Sequence, residues 1–304
     1  MERQLRSDLR APRDSEVTVH AGSPRHHLDL VMFASSLVRI GRWRCPSDHP
    51  QFLDSGPSSD ALFVFPREGV WIEHQGCDPF VADANTVTYY NKGQRYRRRK
   101  LSLRGDRCEW FAVAPDAIAE VLAAQEPAAI DRPHRPFPFT HGPSDPESYL
   151  RQRLVFHHVA RERTPDRLFV EESVVSVLAD VTRLAYANQN ARPSRPRLRD
   201  VDAIEAARDV IARRFTKNLS LPDIAAEVGS SVFHLARMFK ARTGFSMHTY
   251  RTQLRLRSAL DRIRERGCDL TRIALDLGFS SHSHFTETFR QSFGTTPSAV
   301  RDAL

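Results

Sequence analysis

The chain has 304 residues, with 45 Lys and Arg against 37 Asp and Glu, a net charge of +8. That length suits two domains with enough interior to form a core without disulfide staples, which excludes a mini-protein scaffold. The positive balance favours an acidic partner such as nucleic acid or an anionic membrane surface. Of the basic residues 41 are Arg, which suits bidentate contacts to guanine and phosphate, although a genome-wide codon bias produces the same count.

The four cysteines, at 45, 77, 108 and 268, are too scattered for a secreted disulfide framework and form no CxxC pair, so they are expected to be reduced, buried thiols. The charged start MERQLRSDLRAPRD lacks the apolar stretch of a signal peptide, and no run of 18 apolar residues occurs. A soluble, cytoplasmic protein is expected.

Residues 1–15 are polar and Arg-rich and read as a loose arm. From about 28 to 113, short apolar runs recur: Leu30 to Phe33, Leu37 to Ile40, Ala61 to Phe65, Val70 to Glu73, Thr86 to Tyr90 and Cys108 to Val113. Gly, Pro, Asp or Asn separate most of them, as turns separate strands, and the spacing predicts antiparallel strands closed into a barrel or sandwich. The period then changes. Asp116 to Gln125 is a short helix candidate, a Pro-rich loop runs from Pro127 to Pro146, and helices are predicted over about 147–163 and 167–189. The last of these carries Val170, Val174, Val177, Leu178, Val181 and Leu184 on one stripe, which either the chain's own strands or the same helix of a second subunit must cover. NQNARPSRPRLRD, Asn188 to Asp200, reads as an interdomain linker.

The last hundred residues contain an internal near-duplication. Leu221, Ile224, Ala225 and Gly229 match Leu270, Ile273, Ala274 and Gly278. After an inserted Phe279, Ser230, Ser231, His234, Phe239 and Gly244 match Ser280, Ser281, His284, Phe289 and Gly294. Each copy reads as helix, tight turn, helix: an apolar patch, a Gly free to take positive φ, and a Ser to cap the second helix. One copy alone is equally an ordinary αα-hairpin. Two with the same turn indicate paired helix-turn-helix units whose second helices enter the major groove. Between them, Met247 to Arg266 contains no Pro or Gly and predicts a helix of about 20 residues, roughly 30 Å long. That is close to one turn of DNA, about 34 Å.

The run from Leu219 to Arg301 closely resembles the AraC/XylS family of bacterial transcription regulators, notably in IAAEVGSSVFHLARMFKARTG, in Tyr250 with Arg255 and Ala259, and in IALDLGFSSHSHFTETFRQSFGTTPSAVR. The resemblance covers about the last 100 residues. It implies an α+β protein: an N-terminal cupin-like β-barrel with following helices, then an all-α domain of two helix-turn-helix units joined by a long helix. The domains expected are a flexible arm (1–15), a sensing and dimerising domain (16–189), a linker (190–200) and the DNA-binding domain (201–304). The partners implied are double-stranded promoter DNA, RNA polymerase, a small-molecule effector and a second copy of the chain, with activation commoner than repression.

In the first reading helix, Leu235, Met238 and Phe239 form the buried stripe, which leaves Val232, Phe233, Ala236, Arg237 and Lys240 on the opposite face after the capping Ser231. Arg237 suits guanine O6 and N7, Phe233 and Val232 suit thymine methyls unless Phe233 is a core aromatic, and Lys240 suits phosphate. The second reading helix buries Phe285 and Phe289 and turns His282, Ser283, Thr286 and Glu287 outward, with Arg290 beyond. The family usually has a basic residue where this chain has Glu287, so this half is expected to be the poorer DNA face. Residues 231–266 carry nine Lys and Arg against two acids, whereas residues 267–304 carry three against four. Affinity is therefore expected mainly from the first half and from Arg251, Arg255, Arg257, Arg262, Arg264 and Arg266 of the joining helix, unless these form a solvated face. Arg255 has a second reading, as a structural arginine within the hydrophobic interface.

Cupin-type metal sites present a His-x-His pair, and the barrel region offers only His26-His27, His49 and His74. Adjacent strand residues point to opposite faces, so no metal site and no cofactor are expected, and without a nucleophile motif such as GxSxG no catalysis is expected either. Trp43, Trp71, Trp110, Phe63 and Tyr89 read as core aromatics or as the lining of a ligand mouth. QRYRRRK, Gln94 to Lys100, reads as a solvated hairpin or an anion site. The rival functions are a non-specific architectural DNA binder and a metal-dependent barrel enzyme with a DNA-binding module.

Overall fold

The computed structural model describes residues 28–190, 198–264 and 268–303. The arm at 1–15, His26-His27, most of the 190–200 linker and Arg266 lie outside the described residues.

The N-terminal strands are β1 (Asp29–Ala34), β2 (Val38–Cys45), β3 (Leu62–Pro66), β4 (Val70–His74), β5 (Phe80–Ala82), β6 (Thr86–Tyr90), β7 (Tyr96–Lys100), β8 (Asp106–Val113) and β9 (His141–Pro143). They pair antiparallel in two sheets, one ordered β1-β2-β8-β3-β6-β9 and the other β5-β4-β7. Register explains the near-continuous apolar runs of the central strands, because both faces of the larger sheet are covered. One row, Ile40–Phe111–Phe63–Tyr89, is buried against the helices. The next row presents Trp110 and Val64 to the smaller sheet, where they pack with Val70, Ile72 and Phe80. Gly41 makes this possible, since a Cβ there would lie 2.2 Å from the Trp110 ring. Phe63, Tyr89 and Trp110 are thus core, on opposite faces of one sheet, and line no common mouth.

Helices α1 (Pro115–Ala123), α2 (Pro146–Arg161) and α3 (Arg167–Asn190) come next. The α3 stripe of Val170, Val174, Val177, Leu178 and Val181 is buried within this chain, against its own sheet and helices. The sequence reading did not anticipate β5, β7 and β9. The first and last are three residues long, too short for periodicity. The remaining one, β7, is the YRRRK run, in which Arg97, Arg99 and Lys100 are exposed as a solvated hairpin requires, but Arg98 departs from that expectation: it is buried, paired with Asp106 at 2.7 Å and set over the Trp43 ring at 5.0 Å. Cys77 is exposed, contrary to the expectation of buried thiols throughout.

The C-terminal helices are α4 (Leu198–Arg214), α5 (Leu221–Glu227), α6 (Val232–Thr243), α7 (Met247–Arg262), α8 (Leu270–Asp276), α9 (His282–Phe293) and α10 (Pro297–Ala303). α4 covers the outer edge of β5: Glu205 accepts the Val81 N–H at 2.8 Å and Arg208 donates to the Val81 carbonyl. Both groups are orphans at a sheet edge, and the two side chains satisfy them. α7 lies against the loops beside β6 and β9. Tyr250 donates to Asp83 at 2.6 Å, Asn85 donates to the Tyr250 carbonyl at 2.9 Å, and Arg67 and Arg153 both engage Asp261. Among the described residues no helix is long and apolar enough to cross a membrane.

Candidate nucleic-acid interface

The two helix-turn-helix units, α5–α6 and α8–α9, share their construction. Gly229 and Gly278 turn the chain with φ of +67° and +84°. At Gly278 the conformation and the space both demand glycine, because a Cβ would stand 2.4 Å from the Thr216 carbonyl. The hydroxyls of Ser231 and Ser281 then accept the N–H of His234 and His284 at 3.3 and 3.1 Å, capping α6 and α9. Leu235 and Phe239 in α6, and Phe285 and Phe289 in α9, are buried at matching positions. Both helices end on a left-handed glycine, Gly244 and Gly294.

What remains on the outside differs. In α6 the exposed i, i+4, i+7 line is Phe233, Arg237 and Lys240. Phe233 is 79% exposed, which settles the choice between core and surface, and Val232 beside it is 41% exposed. Ala236 is half-buried and borders an apolar groove of about 340 Å³ between α5, α6 and α7. In α9 the same line reads Ser283, Glu287 and Arg290, all exposed, with His282 and Thr286 half-buried beside it. Glu287 accepts from Arg290 at 2.9 Å and from Gln291 at 2.8 Å. These donors hold its carboxyl below the usual glutamate range. The one cation on this line is thereby paired with a carboxylate on the preceding turn.

α7 joins the units but does not offer its arginines as the charge count suggests. It ends at Arg262 after 16 residues, about 24 Å rather than the 30 Å expected. Arg255 is a structural clamp. It donates to the carbonyls of Phe215 at 2.7 Å, Gly278 at 2.7 Å and Lys217 at 3.1 Å, tying the end of α4 to the turn of the second unit. Arg257 is fully buried and bonds to the N-terminal half, at Asn85 Oδ1 and the Ser144 carbonyl, each 2.6 Å away. Both are lost to DNA, which corrects the expectation of phosphate contacts. Arg251 reaches the Leu219 carbonyl at 3.3 Å and Arg262 pairs with Asp276 at 3.4 Å, while Arg264 is exposed. The residues that sequence reasoning missed are Asp83, Asn85, Glu205 and Arg208, whose bonds between the two halves of the chain reach partners 120 residues or more away and leave no local pattern.

Comparison with known proteins agrees with this geometry. A helix-turn-helix domain family matches residues 224–303. Over 86 residues the chain is 35% identical to a probable transcription factor, PqrA of Proteus vulgaris, covering 28% of this chain and 70% of that protein. The chain belongs to the AraC/XylS family of DNA-binding transcription regulators. It is also 29% identical over 128 residues to the regulatory protein PocR of Salmonella typhimurium, covering 42% of this chain and 41% of PocR, so the match spans less than half of that relative. A solved AraC-type regulator from Chromobacterium violaceum is 33% identical, covering 33% of this chain and 89% of that one, with a TM-score of 0.32, too low to bear on the arrangement of the fold. Among the described residues no group of three or more His, Cys, Asp or Glu is placed to hold a metal ion.

Proposed function

We propose that this AraC/XylS-family regulator reads a specific duplex sequence chiefly through α6, and that residues 16–189 form a cupin-like sensing and dimerising domain whose effector state controls that reading. The observation that carries the proposal is the exposed Phe233–Arg237–Lys240 line on a capped second helix. Arg237 is the base reader, bidentate to guanine. Phe233 and Val232 pack on thymine methyls, Lys240 takes phosphate, and Ser231 presents its capped end to the backbone. His282, Ser283, Thr286, Glu287 and Arg290 form a weaker second contact. The docking of α7 supports control from the N-terminal half, since Tyr250, Arg257 and Asp261 fasten the helix that spaces the reading helices to β-sheet loops. By its family the regulator acts as an activator with RNA polymerase at a cytoplasmic promoter.

Selection of binding sites from a random duplex pool by the full-length chain at physiological salt tests the reading. One recurrent motif is expected, and it loses preference at a single base pair in Arg237→Ala. Binding of the whole pool with no enriched motif would instead assign the chain to architectural DNA binding.

A further inference from the structure

Between the N-terminal sheets and helices α4, α7 and α8 lies a cleft of about 920 Å³, within the size range of small-molecule sites. Eight arginines and five carboxylates line it, a surplus of three positive charges. Most of the cations are accounted for. Arg67 engages Asp261 and donates to the Tyr149 hydroxyl at 2.6 Å. Arg257 is the buried exception. It is fully buried and its Nη atoms donate only to neutral oxygens, those of Ala84, Asn85 and Ser144. Among the described residues its Nε has no hydrogen-bond partner and the guanidinium forms no ion pair; the Tyr149 ring lies against it at 4.8 Å, and Asp83 and Asp145 act on it only from a distance. Burial pushes its pKa down to about 10. A guanidinium held this way keeps much of its desolvation cost, which a negative charge arriving in the cleft would offset.

The rims supply cations from both halves of the chain. Arg104, in the turn between β7 and β8, is 72% exposed, and among the described residues its guanidinium reaches only Glu68, at 3.3 Å. On the other side Arg264 and Arg272 are exposed and form no ion pair among the described residues. A site with a buried cation that no carboxylate contacts at its floor and exposed cations on facing walls matches a ligand with more than one negative group. A duplex is too wide to bring its phosphates to a fully buried Arg257.

We propose that this cleft binds a small molecule carrying two or more oxyanion groups, a di- or tricarboxylate or a phosphate ester, with Arg257 at its floor and Arg104 and Arg272 closing on it from the two halves. For its regulatory consequence, though not for binding itself, the inference rests on the sensing role given above to the N-terminal domain. Such a ligand would strengthen the docking of α7 and so couple the sheets to the reading helices.

Calorimetric titration of the full chain with citrate and with pyrophosphate, each at an ionic strength fixed with sodium chloride, tests the site and separates carboxylate from phosphate chemistry. Saturable one-to-one binding of at least one probe is expected, weakened about tenfold in Arg104→Gln and in Arg272→Gln. Both are surface variants, so the test does not depend on whether Arg257→Met folds. Binding that is unchanged in both variants, or abolished alike by matched chloride, overturns the site. So does an equal loss of duplex affinity in the same variants without anion, which would make the rims a DNA contact. If the probe binds with the expected variant dependence but leaves duplex affinity unchanged, the site stands and the sensing role falls.

Discussion

α6 and α9 are built alike and present different surfaces. Each comes after a positive-φ glycine, starts on a serine cap, buries a phenylalanine at the same position and ends on a left-handed glycine. At three matching exposed positions, Phe233, Arg237 and Lys240 have Ser283, Glu287 and Arg290 as counterparts. The first set offers a hydrophobe and two cations, and the second a hydroxyl and a mutually neutralised pair. The fold of a helix-turn-helix unit is thus fixed by its inward and turn positions, and the proposed reading of DNA falls to a line of residues on which the fold makes no demand.

The shared interior predicts the largest effect. Phe239 and Phe289 are both 0% exposed, so Phe239→Ala and Phe289→Ala should each destabilise by about 3–5 kcal/mol. Thermal unfolding of the full chain measures both. A cost below about 1 kcal/mol for either would show that the two units are not packed as equivalents.

The difference between the surfaces predicts the next. Arg237→Ala should cost about 1–3 kcal/mol on the preferred site and relax selectivity at one base pair. Alanine at its counterpart Glu287 should leave selectivity intact. The comparison breaks if Arg237→Ala lowers affinity equally on every sequence, because Arg237 would then be a phosphate contact.

The caps should be smaller and equal. Ser231→Ala and Ser281→Ala each remove one bond to an orphan N–H, worth about 1 kcal/mol, and denaturant melts of the two variants should coincide. Lys240→Ala is expected to weaken all duplexes alike and to reduce the salt slope by about one, read from affinities at several salt concentrations.

How much of the molecule is legible in its sequence depends on the range over which each signal acts. Helical periodicity, the duplicated glycines and the serine caps are local, so α5, α6, α8 and α9 could be placed from residues alone, as could the long strands and the covered stripe of α3. β5 and β9 could not, because three residues carry no period and their pairing depends on partners elsewhere. The arginines are the sharper case. Arg98, Arg255 and Arg257 occur in basic runs, yet each is buried by contacts outside its run: Arg98 with Asp106, eight positions on, Arg255 with Gly278, 23 positions on, and Arg257 with Ser144, 113 positions back. A charge count cannot distinguish an arginine spent on carbonyls from one free for phosphate. The interdomain grip of α7 was invisible for the same reason: its groups are hydrogen-bonded across more than 100 positions.

The smallest effect bears most directly on the proposal that α9 is the weaker face. Glu287 is exposed and accepts from both Arg290 and Gln291, so α9 presents no net charge to an approaching backbone along its outward line. Glu287→Gln removes the carboxylate and leaves Arg290 without its ion partner while keeping the length of the side chain. The fold should not change, since exposed ion pairs contribute little to stability. General duplex affinity should rise, and the salt slope should steepen by about one as Arg290 becomes available to a phosphate. Affinities of wild type and variant on specific and random duplexes over a range of salt concentrations read both quantities. An unchanged slope would mean that Arg290 does not reach the backbone, and that the asymmetry of the two units lies in where they sit on the duplex rather than in the pairing of Glu287.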